Sequence, residues 1–236
     1  MLYAGIISDL QDQAEKAFFD LETVTKNINN ASTPSYKTER SFSFDETLGQ
    51  VQRNMEAGKL LMSDNPNDVS LEGKGFFVLN DAKGETVLTR NLTLSQDKDG
   101  NLVSGDYIIC PKTQMPKGIT GYEIETNGEI LGKKSDGTKI PLTKLNVWNY
   151  PSAEKLDYDG FVYRPTETAG KPLIVCLGLL EQTKVRQKTQ ESSNVQIPLE
   201  YSKFTETRDR ITTISRINQL LSSSEKEYIR NLSSLI

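Results

Sequence analysis

The sequence predicts an α+β protein in which long N- and C-terminal helices pair as a coiled coil, with a central all-β domain that is sandwich- or barrel-like. Apolar residues recur every three or four positions at both ends, and the middle holds short strand-like runs between glycine turns. The predicted segments are a helix over 1–30, a junction over 31–65, a β-rich domain over 66–184, a return junction over 185–198 and a helix over 199–236.

The first helix carries an apolar seam that no proline interrupts. Its positions lie alternately four and three residues apart, the spacing with which one side of a helix packs against a partner helix. One narrow seam stabilises little by itself, so this helix needs a partner. The seam residues that we assign to assembly are Ile7, Leu10, Leu21, Val24 and Ile28.

A polar stretch, "NINNASTPSYKTER", follows this seam at residues 27–40. Asparagine and serine side chains compete for helix hydrogen bonds and favour caps and turns. Pro34 also disfavours a helical conformation at Thr33. The stretch therefore predicts the end of the helix and a junction to the next part of the chain.

The middle of the chain, roughly 66–180, has the pattern of a β protein. Turn pairs such as "NG" at 127–128 and "DG" at 136–137 alternate with runs such as "GFFVLN" and "YEIET". Short strands with turn signals at this spacing indicate a sandwich or barrel.

The last segment mirrors the first, with no proline or glycine between residues 199 and 235. Two terminal helices with complementary seams pair most simply with each other or with copies of themselves. A serine run at 222–224 weakens the second seam. Its assigned residues are Phe204, Ile211, Ile214, Leu221, Tyr228 and Leu232.

Composition excludes several classes of function. The net charge is −4, and basic and acidic residues are interspersed along the chain. No basic face for nucleic acid is therefore indicated. No run of about 18 apolar residues predicts a membrane span, and no basic region followed by an apolar core predicts a cleaved secretory signal. Because the chain has no histidine, histidine-based triads and histidine metal sites are excluded. We expect no enzyme activity, no cofactor and no metal.

Two short motifs resemble ligand-binding loops only in part. "EGKGFF" has Gly73 and Gly75, but a dinucleotide loop needs a third glycine and a following helix. "DKDGN" at 97–101 places its glycine too early for a calcium loop, and its flanks are strand-like. Both are interpreted as turns.

A second class of function stays open, that of a secreted β-domain protein that binds or hydrolyses carbohydrate and has helical oligomerisation ends. Asp157 and Asp159 are paired carboxylates, although they lie at a turn, next to Gly160. Trp148 and Tyr150 have the spacing of a sugar platform or of a half-buried strand.

The two cysteines, Cys110 and Cys176, lie in apolar runs. We expect two small buried hydrophobic residues, with a disulfide between them as the alternative.

The junction stretch resembles the signature that closes the N-terminal helix of bacterial flagellar rod and hook proteins, roughly Asn-Asn-Leu-Ala-Asn followed by Thr-Pro/Thr-Gly-Phe-Lys. The positions that match are Asn27, Ile28, Asn30, Thr33, Pro34, Tyr36 and Lys37. Ser35 stands where that family has glycine.

Three later segments continue the resemblance in the same order. "NDVSLEGKGFFVLN" at 67–80 and "LTRNLTLSQDKDGNLVSGDYIIC" at 88–110 are similar to the family's central motifs. "VRQKTQESSNVQIPLEY" at 185–201 is similar to its C-terminal signature, with Lys188 in place of a glycine. The matching residues in the first and last of these segments are Gly73, Gly75, Phe76, Phe77, Glu191, Ser193, Asn194 and Val195.

The resemblance implies a structural subunit of the flagellar basal-body rod, whose helices pack in the inner tube and whose β-rich domain faces outward. It implies copies of the chain, other rod proteins and the flagellar type III export apparatus as partners, and a rod that crosses the periplasm. The length favours a rod protein over a hook protein. The short segment between Lys37 and Asp68 favours the proximal over the distal rod type.

Overall fold

The computed structural model describes the backbone of residues 2–42, 49–178 and 183–233. The chain divides into two compact units. The helical unit comprises residues 1–31, 38–54 and 195–236, and the β unit comprises residues 32–37 and 55–194.

The helical unit contains helix α1 (Leu2–Asn29), helix α2 (Ile197–Ser233) and an antiparallel hairpin of β1 (Glu39–Phe42) and β2 (Gln50–Arg53). Helix α1 ends where Asn30 donates from its side chain to the Lys26 carbonyl oxygen over 2.8 Å. That bond satisfies one of the carbonyl groups that a helix C-terminus leaves unpaired.

The two helices run antiparallel, because Asp20 pairs with Arg210 while Asn27, further along α1, pairs with Glu200. Each helix buries residues that lie seven positions apart. On α1 these are Leu10, Ala17 and Val24, and on the part of α2 whose side chains are described they are Glu200, Thr207 and Ile214. The hairpin also packs on α1, where the Ser41 hydroxyl donates to Asp20 over 2.6 Å.

The β unit contains the remaining strands and two short 3₁₀ turns, Ala153–Lys155 and Glu167–Ala169. Its strands are β3 (Leu60–Met62), β4 (Asp68–Glu72), β5 (Phe76–Asn80), β6 (Thr86–Thr89), β7 (Asn91–Gln96), β8 (Leu102–Ser104), β9 (Tyr107–Ile109), β10 (Ile119–Ile124), β11 (Glu129–Lys134), β12 (Lys139–Lys144), β13 (Val147–Asn149), β14 (Asp157–Tyr158), β15 (Tyr163–Arg164), β16 (Leu173–Ile174), β17 (Lys184–Gln187) and β18 (Thr189–Glu191).

Among the described residues, eleven of these strands join in one sheet along the order β14-β15-β6-β5-β9-β8-β7-β4-β17, with β13 bridging β5 and β16. Strands β10, β11 and β12 form a separate three-stranded meander, and β18 pairs with β3. Alternate residues of β5 enter two apolar clusters: Phe77 and Leu79 join the larger one, and Phe76 and Val78 join the smaller one. This alternation is what the period of a strand requires when both faces are covered.

The predicted fold class is wrong in its packing, although one helix at each end and a β-rich middle fit an α+β protein broadly. The helices are not an apolar coiled coil, since Glu200 and Thr207 occupy two of the buried positions of α2 and a hairpin covers part of α1. The β region is one long sheet with two smaller ones rather than a sandwich or barrel. Apolar spacing alone did not reveal that buried polar groups with partners fill part of the helix contact.

The expectation for the cysteines is also wrong in part. Both thiols are free, and Cys176 is exposed while Cys110 is half-buried. The alternative of a disulfide between them is therefore not what the structure has.

Candidate functional site

Asn27 holds three elements of the helical unit together. Its side-chain amide donates to the Glu39 carbonyl oxygen over 2.8 Å and to Glu200 Oε2 over 2.9 Å. Its Oδ1 accepts from the Glu39 backbone N–H over 2.9 Å. Because Asn27 is fully buried, these bonds satisfy a group that would otherwise destabilise the fold.

The two carboxylates at this cluster are also buried and paired. Glu39 accepts from Lys26 over 2.8 Å and from Arg53 over 3.2 Å. Glu200 accepts from Lys203 over 2.7 Å. Each cation keeps part of its surface in water, so its desolvation is incomplete. Each ion pair therefore contributes only modestly to the stability of the fold. The cluster links the end of α1 to β1 and to the first turns of α2.

Glu191 is the centre of a second buried cluster, the Glu191 hub, which lies wholly in the β unit and joins Glu191, Lys37 and Arg90. The Glu191 side chain is 0% exposed. Its Oε1 lies 2.5 Å from Lys37 Nζ, and its Oε2 lies 2.7 Å from Arg90 Nε and 2.6 Å from Arg90 Nη2. The Gly58 backbone N–H donates to Oε1 over 3.0 Å. Distant segments of the sequence therefore meet at one carboxylate.

Lys37 is held between opposing influences. Burial lowers the pKa of its ammonium below the usual lysine value, and the adjacent Glu191 carboxylate raises it, with burial the larger effect. Lys37 Nζ also donates to the Glu56 carbonyl oxygen over 2.8 Å. The hub therefore sets two basic side chains against one carboxylate in a buried place.

Backbone contacts at the hub tie together the chain segments that follow α1 and precede α2. The Ser35 N–H donates to the Glu191 carbonyl oxygen over 2.9 Å, and the Asn194 N–H donates to that of Tyr36 over 3.2 Å. Asn91 binds Glu191 on both sides, donating from Nδ2 to its carbonyl oxygen over 3.0 Å and accepting at Oδ1 from its N–H over 2.8 Å. Segments 32–37 and 189–194 are thereby fixed side by side.

Within the described part of the chain, two non-glycine residues have positive φ, Ser35 at 60° and Lys188 at 58°. Each of them stands where a family motif has glycine. The left-handed conformation is costly for residues with a Cβ, so the backbone keeps the geometry of the glycine motif with a less suitable residue. The Ser35 hydroxyl is also buried, and no hydrogen-bond partner for it is present among the described residues.

Gly73 and Gly75 form the turn into β5, and both have positive φ, 117° and 104°. A Cβ on Gly75 would lie 3.0 Å from the Trp148 carbonyl oxygen, so both conformation and space require glycine there. The following residues, Phe76 and Phe77, are buried on opposite faces of β5. The interpretation of "EGKGFF" as a turn into a strand fits this geometry.

The structure distributes the predicted assembly residues unevenly. Leu10, Val24 and Ile214 are buried, whereas Ile7, Leu21, Ile28, Phe204, Ile211 and Leu221 are half-buried. The side chains of Tyr228 and Leu232 lie outside the described residues.

The junction residues fall into three groups. Asn27, Tyr36, Lys37, Glu191 and the β5 residues are buried, while Asn30, Thr33, Ser193, Asn194 and Val195 are half-buried and Pro34 is exposed. Thr33 accepts from the Tyr36 N–H over 3.2 Å and so closes the turn that contains Pro34.

Several important residues escaped the sequence-based assignment. Arg90, Asn91, Glu39 and Glu200 all bond to assigned residues but were not assigned themselves. Charged side chains are usually exposed, so a buried carboxylate is hard to recognise in one sequence. All four lie within segments that resemble the family, Glu39 in 27–40, Arg90 and Asn91 in 88–110 and Glu200 in 185–201, and this was the available signal.

The residues considered for carbohydrate chemistry have structural contacts. Asp159 Oδ1 accepts from the backbone N–H groups of Phe161 and Val162 over 2.9 and 3.0 Å, which shapes the turn. Tyr150 is buried in the smaller apolar cluster, and Trp148 packs against it. Within the described ranges, no helix is long and apolar enough to cross a membrane, and no group of three acidic or cysteine side chains could hold a metal ion.

Comparisons with known proteins agree with the motif positions. Residues 70–132 match the family described as the flagellar hook protein FlgE/F/G D1 domain. The flagellar basal-body rod protein FlgG of Buchnera aphidicola subsp. Acyrthosiphon pisum is 27% identical over 181 residues, covering 75% of this chain and 68% of that protein. The FlgG protein of Agrobacterium fabrum is 26% identical over 211 residues, covering 75% and 79%. The flagellar hook protein FlgE of Brucella abortus is 32% identical over 125 residues, covering 46% and 30%.

Proposed function

We propose that this chain is a member of the flagellar rod and hook protein family and works as an axial structural subunit of the basal-body rod, whose copies join through their terminal helices to form a shaft that transmits torque. The rod proteins align with three quarters of the chain, whereas the hook protein aligns with less than half. We therefore prefer a role as a rod subunit to the alternative role as a hook subunit.

The observation that carries this proposal is the Glu191 hub. Lys37, Arg90 and Glu191 come from three of the four segments that resemble the family, and the fold joins them at one buried carboxylate. The hub fixes the segment that leaves α1 against the segment that leads into α2. A subunit under torsional load needs such a fixed origin for its helices, because a loose junction would absorb the load.

The partners we propose are copies of the chain, other rod proteins and the flagellar type III export apparatus, with no nucleic acid. The proposed location is a rod that crosses the periplasm. The function requires no enzymatic chemistry, cofactor or metal. A proximal position along the rod rests only on the short segment between Lys37 and Asp68 and stays a prediction.

Substitution inside the helix contact tests the proposal. Val24→Asp places a carboxylate at a buried position of α1, and Thr205→Asp places it at an exposed position of α2 as the control. We expect the Val24→Asp chain to be missing from basal bodies purified from the source bacterium and the Thr205→Asp chain to be present. Incorporation of both chains alike, or absence of the unsubstituted chain from the rod fraction, would contradict the proposal.

A further inference from the structure

Phe18 is an aromatic side chain of α1 that the helical unit leaves 57% exposed. It borders a groove of about 550 Å³ between the two helices, whose other walls include Ala14, Ile211, Ser215 and Ser222. Because the serine side chains on the α2 side are small, they fill little of this groove. Side-chain ridges of one helix pack into such grooves of another.

On its other side, Phe18 borders a shallow hollow of about 460 Å³ along α1, which is also lined by Leu21, Glu22 and Thr25. Glu15 and Glu22, three residues before and four residues after Phe18, lie on the same side of the helix and are exposed. We call Glu15, Phe18, Glu22 and the adjoining groove the Phe18 face. Lys26 also borders the hollow, but it is paired with Glu39.

A matching ridge lies on the opposite flank of the helix pair. The Asp20–Arg210 ion pair marks that flank, and Ile217, seven residues after Arg210, lies on the same side of α2. Leu220 is its neighbour at three residues and is 67% exposed. Arg216 is exposed four residues before Leu220. We call Arg216, Ile217 and Leu220 the Leu220 ridge.

We propose that the Phe18 face of one copy of this chain receives the Leu220 ridge of the next copy, an inference that rests on the proposed rod function and names its contact. The shapes are a groove and a ridge, and the charges are complementary, with two glutamates beside Phe18 and an arginine beside Leu220. Exposed apolar side chains rimmed by charged ones are typical of protein–protein contacts.

The two surfaces lie on opposite flanks of the same helix pair, so the contact is heterologous. Each copy that binds a neighbour through its Phe18 face still offers its Leu220 ridge, and the addition continues in one direction. Contacts of this kind extend into a helical assembly when the rotation does not close a ring.

Complementary blocking of the two surfaces tests the contact. Phe18→Asp blocks the face and Leu220→Asp blocks the ridge, so each full-length variant should stay monomeric in sedimentation where the unsubstituted chain forms large assemblies. An equimolar mixture should give a dimer of twice the 26.4 kDa chain mass and nothing larger, because one intact face meets one intact ridge. Phe161→Asp is the matched control, since Phe161 is 84% exposed in the β unit and should not affect assembly.

The outcomes separate this contact from the rod function itself. Assembly of both variants at the unsubstituted level, or a mixture that remains monomeric while circular dichroism shows folded helices, overturns the contact and leaves the rod function standing. An unsubstituted chain that stays monomeric at every concentration contradicts both.

Charge reversal provides a second test that does not rely on apolar substitution. Glu22→Arg and Arg216→Glu should each weaken assembly at least roughly tenfold in critical concentration, the equivalent of one good charge pair, and the double variant should recover most of the loss. Recovery shows that the two residues face each other between copies. A double variant that is weaker than either single one overturns the charge pairing.

Discussion

Replacing Glu191 by glutamine is the sharpest perturbation of the β unit. A glutamine side chain at this position would keep the shape but remove the charge that opposes Lys37 and Arg90 in the hub, and its NH₂ group would face N–H donors. Removing one partner of a buried ion pair lowers the free energy of unfolding by about 3–5 kcal/mol. That is a large share of the roughly 5–15 kcal/mol that holds a domain folded.

Lys37→Met should be much milder, although it also removes a member of the hub. It leaves Arg90 and Glu191 as a neutral pair and removes the excess positive charge. The hydrogen bonds lost with Lys37 should lower the free energy of unfolding by only about 1–2 kcal/mol. The assay is urea unfolding followed by the fluorescence of the single tryptophan, Trp148. An equal loss for Glu191→Gln and Lys37→Met would refute the reasoning from net charge.

The hub also predicts a pH dependence. Burial lowers the pKa of Lys37 in the folded protein, so between that value and the ordinary 10.5 the unfolded chain binds more protons than the folded one. The free energy of unfolding should therefore gain a contribution as pH rises through this window. Subtracting the pH profile of Lys37→Met from that of the unsubstituted chain isolates this contribution, and a difference that falls with rising pH would be the wrong sign.

Three further predictions concern single positions. Ser35→Gly should raise the free energy of unfolding by about 1 kcal/mol, because relief of the left-handed strain and of the buried hydroxyl exceeds the added entropy of the unfolded chain; a thermal melt that shows a loss contradicts this. Asn27→Ala should lower the free energy of unfolding of the helical unit by about 3 kcal/mol, because the buried partners of its amide lose their hydrogen bonds. A thermal melt followed by helix ellipticity that matches the melt of the unsubstituted chain would contradict this. Glu123 has its pKa lowered to about 2 by hydrogen bonds from Lys133 and Lys139, so its NMR titration should move to higher pH when both lysines become methionine.

The sequence was most informative where one side chain type dictates one structure. The apolar seam predicts α1 from residue 2 to near residue 30, and the asparagines and Pro34 predict its end, which the structure has at Asn29. Gly73 and Gly75 predict the turn into β5 because their conformations exclude other residues. The motif order further predicts a likeness to flagellar rod and hook proteins, and the comparisons find that similarity.

Long-range pairing of polar residues could not be predicted from the sequence. Glu39 and Glu200 look like ordinary surface charges, yet both are buried because Asn27 and nearby cations meet them only in the folded chain. The same limitation made the coiled coil prediction wrong, since a spacing rule counts apolar positions and cannot see a polar residue at the centre of the contact. Sheet order likewise depends on pairings such as β17 with β4, whose residues lie far apart in the sequence.

Electron microscopy of the full-length chain at high concentration, with helical reconstruction of whatever forms, tests the central claim most directly. We predict tubes in which residues 2–29 and 197–233 of neighbouring copies touch in the wall nearest the axis. Discrete rings or small oligomers, or tubes in which these helices touch no neighbouring copy, would contradict it.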